Sequence, residues 1–162
     1  MPLHFNKANQ PVLLDLAAEA TGSLGWRKDA IAVAVYDRGT PDDLRAIVVF
    51  QNIDAYGAEM HFAMMGDHRL GLEVAKGVAT IATHPRMMNL PAVWAHISED
   101  NIPAQIAALK SGFQFEYRKR GGAAGRKDAI VMSIRRVEAP ANVAPVKPTE
   151  NPPEPGDDSR GE

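Results

Sequence analysis

Cysteine is absent from this chain, as are long apolar runs and any large excess of charge of one sign. Without cysteine the protein cannot have a disulfide scaffold, a thiolate nucleophile or a cysteine-based zinc site. No apolar stretch reaches the roughly eighteen residues of a membrane-spanning helix. The formal net charge of −2 creates no field that would steer the protein onto nucleic acid. We therefore expect neither a membrane nor a nucleic acid among its partners.

Two further patterns are missing. The N-terminus lacks a charged region followed by an apolar segment, which is the pattern of a secretory signal. The five histidines show no metal-ligand spacing, so no metal site is expected. These absences predict a cytoplasmic protein without a bound metal.

The composition divides the chain into a domain and a tail. With 45% hydrophobic residues, the chain of 162 residues has enough apolar material for one domain with its own core, which we place in residues 1–136. The last 26 residues hold six of the twelve prolines, six acidic and two basic residues, and no aromatic. Such a segment cannot bury a core, so we expect a disordered, acidic tail over residues 137–162. The tail carries a net charge of −4, which leaves +2 for the domain.

Strand-forming segments in the first half of the chain predict part of a sheet. Residues 30–36 and 44–50 are separated by a turn containing glycine and proline, which indicates an antiparallel pair. A third strand is predicted over residues 58–64. Because side chains alternate along a strand, Glu59 and His61 would share one of its faces.

Periodic apolar residues predict two helices in the same part of the chain. One helix is predicted over residues 11–20, with Gly22 near its end. The other starts at residue 67 or 68 and runs to residue 83. Pro85 stops the second helix. The mixed order of elements indicates an α/β or α+β sandwich.

Residues 101–113 predict a complete helix with clear ends. Asn101 suits the N-cap, because its side-chain oxygen can accept a first-turn N–H, and Pro103 suits the first turn. Gly112 supplies the left-handed residue that usually ends a helix. One apolar stripe recurs at i, i+4 and i+7: Ile102, Ile106 and Leu109.

Short strands are predicted on both sides of this helix, over residues 92–97 and 113–118, and a last one over 128–134. The Asn at the strand-to-helix turn is followed by Ala104, by Gly112 and Phe113, and by a basic run. This arrangement resembles the second half of the GNAT N-acetyltransferase superfamily. The resemblance extends over about residues 29–136. It implies an α/β (α+β) fold with a mixed, mainly antiparallel central sheet, a splayed strand pair and flanking helices.

The resemblance implies acetyl transfer from acetyl-CoA to an amine acceptor. It places Asn101 beside the pantetheine arm of the cofactor. It also places the pyrophosphate of the cofactor at the start of the second helix, where exposed N–H groups form an anion site. The residues implied at that turn are Met64, Gly66, His68, Arg69 and Gly71. The segment departs from the family pattern, because no register supplies the expected glycine spacing and Asp67 adds a carboxylate.

Catalysis by direct attack requires a base for the amine, and Glu59 and His61 are the candidates. The alternative for both is a solvated strand face. The family often places a tyrosine as the acid seven residues after the asparagine, but Ala108 stands there. Tyr117 is the nearest replacement, with packing on a sheet face as its alternative. We interpret His96 as a core or cleft histidine bonded to backbone.

The basic run of Arg118, Lys119 and Arg120 continues through Arg126 and Lys127. It could contact the 3′-phosphate of CoA or an acidic partner, and a solvated hairpin tip is the alternative.

Two other functions are compatible with the sequence. In the first, the fold is a structural or assembly component that resembles the short GNAT-like proteins of tailed bacteriophages, some of them virion proteins, and the tail orders on a protein partner. Its location would then be the host cytoplasm or the virion. In the second, a regulatory module binds acetyl-CoA without turnover, which needs a pocket but no base.

Overall fold

A computed structural model describes residues 3–66 and 71–137 of the chain. The strands in these residues are β1 (Leu3–Asn6), β2 (Ile31–Asp37), β3 (Leu44–Gln51), β4 (Ala58–Met64), β5 (Ala92–Ser98), β6 (Gln114–Lys119) and β7 (Ala129–Arg135). The α-helices are α1 (Gln10–Thr21), α2 (Gly71–Thr83) and α3 (Ile102–Lys110). The helices and strands predicted from the sequence are confirmed, apart from the start of α2, which lies next to residues outside the described part. Strand β1 was not predicted.

The strands form one sheet in the order β1-β2-β3-β4-β5-β7-β6. The predicted antiparallel pairing of β2 with β3 is confirmed, and all other neighbours are also antiparallel except β4 and β5. These two strands are parallel because α2 carries the chain back across the sheet between them. The sheet is therefore mixed and mainly antiparallel, as predicted.

The parallel pair β4 and β5 is joined over a short length only. Its register runs from Ala58 opposite Val93 to Met60 opposite Ala95. Beyond these pairs, residues 61–64 of β4 and 96–98 of β5 do not pair with each other. Strand β5 stays paired with β7 along its other edge up to Ser98. The sheet thus opens into a gap between its two central strands.

Apolar side chains are buried on both faces of the sheet. Helices α2 and α3 cover one face, where Val74 and Val78 pack with Val48, Phe50 and strand residues around them. Helix α1 covers the other face over β2, β3 and β4, with Leu13 and Ala17 inward. No helix in residues 3–66 and 71–137 is long and apolar enough to cross a membrane.

The apolar stripe of α3 does not face the core, contrary to the usual meaning of such spacing. Ile102, Ile106 and Leu109 are 52%, 46% and 55% exposed, whereas Ala108 is buried. The inner side of α3 carries the small side chain of Ala108 instead. The stripe is left on the surface.

The predicted tail, residues 137–162, lies outside the described residues except for Val137. The division into a domain and a tail therefore stays a prediction.

Candidate functional site

A cavity of about 640 Å³ occupies the gap between β4 and β5. Its walls come from both strands, from the first turns of α2 and from α3. The volume falls in the range of small-molecule sites. From α3 the lining residues are Pro103, Ala104, Ala107 and Ala108. The alanines of this helix thus leave room for a ligand, where larger side chains would fill the gap.

The cavity reaches both faces of the sheet. Met60 and Phe62 line it from the face covered by α2 and α3, while His61 and His96 line it from the opposite face. This arrangement is possible because β4 and β5 have separated at this level. A ligand bound here can therefore present a reactive group to the face that carries the histidines.

The first turn of α2 forms one end of the cavity. Gly71, the first residue of the helix, and Leu72 line it, and Met64 at the end of β4 lies nearby in the same wall. Gly66 adopts a left-handed φ of 73° just after β4. Among residues 3–66 and 71–137, no atom lies within 4 Å of where a Cβ of Gly66 or Gly71 would stand, so this part of the chain leaves both backbones accessible. His68 and Arg69, also expected here, lie outside the described residues.

Asn101 caps α3 as the sequence predicts. Its side-chain oxygen accepts a hydrogen bond of 3.3 Å from the backbone N–H of Ala104. The residue also lines the cavity, and its amide nitrogen has no hydrogen-bond partner within residues 3–66 and 71–137. The cap holds the side chain in place and leaves a donor free at the cavity wall.

Three titratable side chains meet beside the cavity. Glu59 Oε1 lies 3.0 Å from His61 Nε2 and 3.5 Å from His96 Nδ1. The other oxygen of Glu59 accepts a 2.7 Å hydrogen bond from the amide of Asn52. The sequence predicts Glu59 and His61 on one face, and the structure adds His96. Glu59 on β4 is opposite Trp94 on β5. Because side chains alternate along a strand, the next side chain on the Trp94 face of β5 is that of His96, which therefore lies near Glu59.

The charges in this cluster favour an ionised carboxylate and a neutral His96. The hydrogen bond from His61 is the main reason that the pKa of Glu59 falls to about 2, and burial opposes it. Burial lowers the pKa of His96 below its ordinary value, while the charge of Glu59 raises it. At neutral pH, Glu59 is thus a poor proton acceptor and His96 has a free lone pair.

His61 is held by three neighbours. Besides Glu59, its Nε2 lies 3.0 Å from Nε2 of Gln51, which can donate to it only in the tautomer whose Nε2 carries no proton. Its ring meets the edge of Trp26 with centroids 5.3 Å apart. The indole N–H of Trp26 in turn donates to the carbonyl of Leu14 in α1. These contacts fix the position of the His61 ring.

The structure does not bring Tyr117 to the cavity. It lies on β6, the edge strand, with β5 and β7 between it and β4, and its side chain is half exposed. Ala108, at the position where the family often has a tyrosine, does line the cavity but has no proton to donate. Tyr117 is therefore poorly placed to act as the catalytic acid.

Two of the cations in the predicted basic run are paired with carboxylates. Arg118 contacts Glu99 and lies 2.9 Å from Asp128, and Lys127 contacts Asp100. The run lies in the β6–β7 hairpin, as predicted. Because Glu99 and Asp100 stand directly before Asn101, these pairs anchor the hairpin to the strand-to-helix turn.

No protein-family model matches this sequence, and no curated protein sequence matches it either. Solved structures do match the fold. A chimera of the spermidine N-acetyltransferase SpeG from Vibrio cholerae and hSSAT superposes with a TM-score of 0.65 at 15% identity, over 83% of this chain and 96% of its own. The spermidine/spermine N-acetyltransferase SpeG from Vibrio cholerae gives 0.66 at 15% identity, over 82% and 92%.

A mixed sheet that splays between two parallel central strands and is flanked by helices defines an α/β class of protein. Within that class, the chain has the GNAT fold, as its structural neighbours show. The fold predicted from the sequence is confirmed. At such low identity the similarity extends to the fold alone.

Sequence reasoning did not assign His96 to the cluster. The sequence did show that His96 lies on the same face of a predicted central strand as Trp94. It did not show which residue of the neighbouring strand His96 would meet. The register between β4 and β5 joins residues far apart in the sequence, and periodicity contains no information about it.

Proposed function

We propose that this protein transfers an acetyl group from acetyl-CoA to an amine. The observation that carries the proposal is the cavity between the separated strands, with Glu59, His61 and His96 beside it. Its position allows one end of a long ligand to reach the α2 N-terminus while the other end meets the histidine face of the sheet.

The edge of β5 suits the pantetheine arm of acetyl-CoA. From His96 to Ser98 this strand is paired with β7 on one side and has no strand partner on the β4 side. Backbone groups on such an edge can bond the amides of an extended ligand. The free amide nitrogen of Asn101 adds a donor for a carbonyl group. The apolar walls around Phe62 and Ala107 suit the methylene chain.

The first turn of α2 suits the pyrophosphate. N–H groups in the first turn of a helix lack intrahelical partners, and the helix dipole favours an anion there. Gly66 and Gly71 leave space for a phosphate to approach the backbone. In this proposal Met64 borders the arm, and His68 and Arg69 offset the negative charge.

The chemistry needs an activated acyl group and a proton acceptor. Acetyl-CoA supplies the thioester, and the residues of the chain orient the amine and remove its proton. Glu59 remains ionised to about pH 2, so its role is to hold the histidines and to attract a cationic amine. The base is then one of the two histidines, which include the predicted His61. Tyr117 is left without a role.

Titration calorimetry of the full chain with acetyl-CoA tests the proposal. We expect micromolar binding, followed by acetylation of an amine in a screen that includes spermidine, because structural neighbours are spermidine N-acetyltransferases. Absence of heat at millimolar acetyl-CoA would contradict the proposal. Binding without acetylation of any amine would point to the regulatory module instead.

The exposed stripe of α3 favours a second function, in which the fold serves protein assembly. Ile102, Ile106 and Leu109 form an apolar surface beside the edge strand β6. In this case the partner is a structural protein, such as one of a bacteriophage virion, and the acidic tail contributes to binding. The protein would then not bind acetyl-CoA, and removal of residues 137–162 would impair the assembly.

A further inference from the structure

Resting on the proposed acetyl transfer, we propose that His96 is the group that takes the proton from the acceptor amine and that Glu59 is its positioning residue. His61 then serves to hold Glu59. The assignment depends on how the single carboxylate of Glu59 is shared between two imidazole rings.

His96 places one ring nitrogen next to the Glu59 carboxylate. Its Nδ1 lies 3.5 Å from Glu59 Oε1, too far for a close hydrogen bond, but the negative charge favours the tautomer that carries its proton on Nδ1 and its lone pair on Nε2. The ring lines the cavity, and its side chain is 17% exposed. Glu59 is itself fixed by Asn52 at 2.7 Å. A carboxylate that orients a neutral imidazole in this way selects the tautomer that can accept a proton.

His61 is placed differently. Its Nε2 lies 3.0 Å from both Glu59 Oε1 and Gln51 Nε2. Its ring also packs edge-on against Trp26, which α1 anchors. These contacts hold the ring between Glu59 and α1, which suits a structural support for the carboxylate.

The proton balance is simple. One N–H bond of the acceptor ammonium breaks, an Nε2–H bond of His96 forms, and the amine keeps the electron pair with which it attacks the thioester. The new C–N bond replaces the C–S bond, and the thiolate leaves as the thiol with the second proton that the amine loses. The ring becomes an imidazolium, whose charge Glu59 stabilises. Release of this proton to water restores neutral His96. It accounts for the one proton that the acetylation of an ammonium group releases overall.

Among the residues that the structure describes, Glu59, Lys119 and His61 carry the charges that act on His96. Glu59 raises its pKa, and Lys119 on β6 and His61 lower it, in addition to the effect of burial. Because the net shift is downward, His96 is neutral near pH 7 and becomes protonated only in acid. Turnover should accordingly fall as the pH decreases through a value below 6.5.

The test uses the full-length protein and three variants: His96→Gln, His61→Gln and, as a control on an exposed histidine outside the cavity, His84→Gln. We expect His96→Gln to lower kcat by about 10²-fold or more and to remove the acid limb of the pH profile. Its Kd for acetyl-CoA, measured by calorimetry, should stay within a few-fold of wild type. His61→Gln should keep the acid limb, and His84→Gln should behave as wild type.

Nuclear magnetic resonance gives a readout that does not depend on turnover. The imidazole of His96 should titrate below 6.5, and Glu59→Gln should lower its pKa further, because the charge that raises it is lost. The acid limb of kcat/KM should move in the same direction. Retention of turnover and of the acid limb by His96→Gln would overturn the inference, as would an unchanged His96 pKa in Glu59→Gln. Failure of the wild type to bind acetyl-CoA would instead overturn the proposed function.

Discussion

Gly57 lies so close to the backbone of Ala92 that a Cβ on the glycine would stand 2.1 Å from the Ala92 carbonyl oxygen. The contact is at the closed end of the gap, directly before the short stretch where β4 and β5 pair. The two strands approach here and separate a few residues later. A residue without a side chain is therefore required where the two strands come together, before the paired stretch.

Gly57→Ala should destabilise the protein by about 3 kcal/mol or more, because the clash is with backbone and with the Trp94 ring, which a Cβ would approach to 2.6 Å. Chemical denaturation of both proteins measures the difference. Gly25→Ala is the matched control, since Gly25 has almost the same φ, 150° against 148°, and no atom within 4 Å of its Cβ position. Equal losses in the two variants would show that backbone strain, and not the close approach, is responsible.

Asn101 has two roles that substitutions can separate. Asn101→Ala should cost about 1 kcal/mol of stability through the lost helix cap and should also weaken acetyl-CoA binding. Asn101→Ser should retain the cap and the stability, but its shorter side chain should bind acetyl-CoA as weakly as the alanine variant. Denaturation and calorimetry on the same samples check this prediction. Wild-type affinity in the serine variant would remove the amide nitrogen of Asn101 from the cofactor site.

The pH dependence of stability should reveal the ionised state of Glu59. Its pKa is lowered to about 2 in the folded protein, so its contribution is complete above the ordinary carboxyl value of 4.5 and is lost as the pH falls toward 2. The stability of wild type relative to Glu59→Gln should therefore decrease as the pH falls from 4.5 toward 2. A constant difference across the whole range would mean that Glu59 titrates normally.

The surface position of the α3 stripe leads to another prediction. Ile106→Glu should change the free energy of unfolding by no more than about 0.5 kcal/mol, because Ile106 is 46% exposed. Ala108→Leu, two residues along, should cost about 1–3 kcal/mol and reduce acetyl-CoA binding, since Ala108 is buried at the cavity wall. A large loss of stability in Ile106→Glu would place the stripe in the core after all.

The sequence alone determined the local structure of this protein. The start of α3 follows from the cap at Asn101, and its end follows from the turn before Gly112. The antiparallel β2–β3 pair follows from two strand segments and the turn between them. The shared face of Glu59 and His61 follows from alternation along β4. These features depend on residues close together in the chain, whose side-chain chemistry and spacing suffice to specify them.

Only the tertiary structure decided which elements meet. The register of β4 against β5 brings His96 to Glu59, and the packing of α3 turns its alanines to the cavity and its isoleucines to solvent. Tyr117, a plausible acid by sequence distance, lies two strands away from β5 once β7 is inserted between them. Such outcomes depend on contacts between residues far apart in the chain, and no local pattern records them.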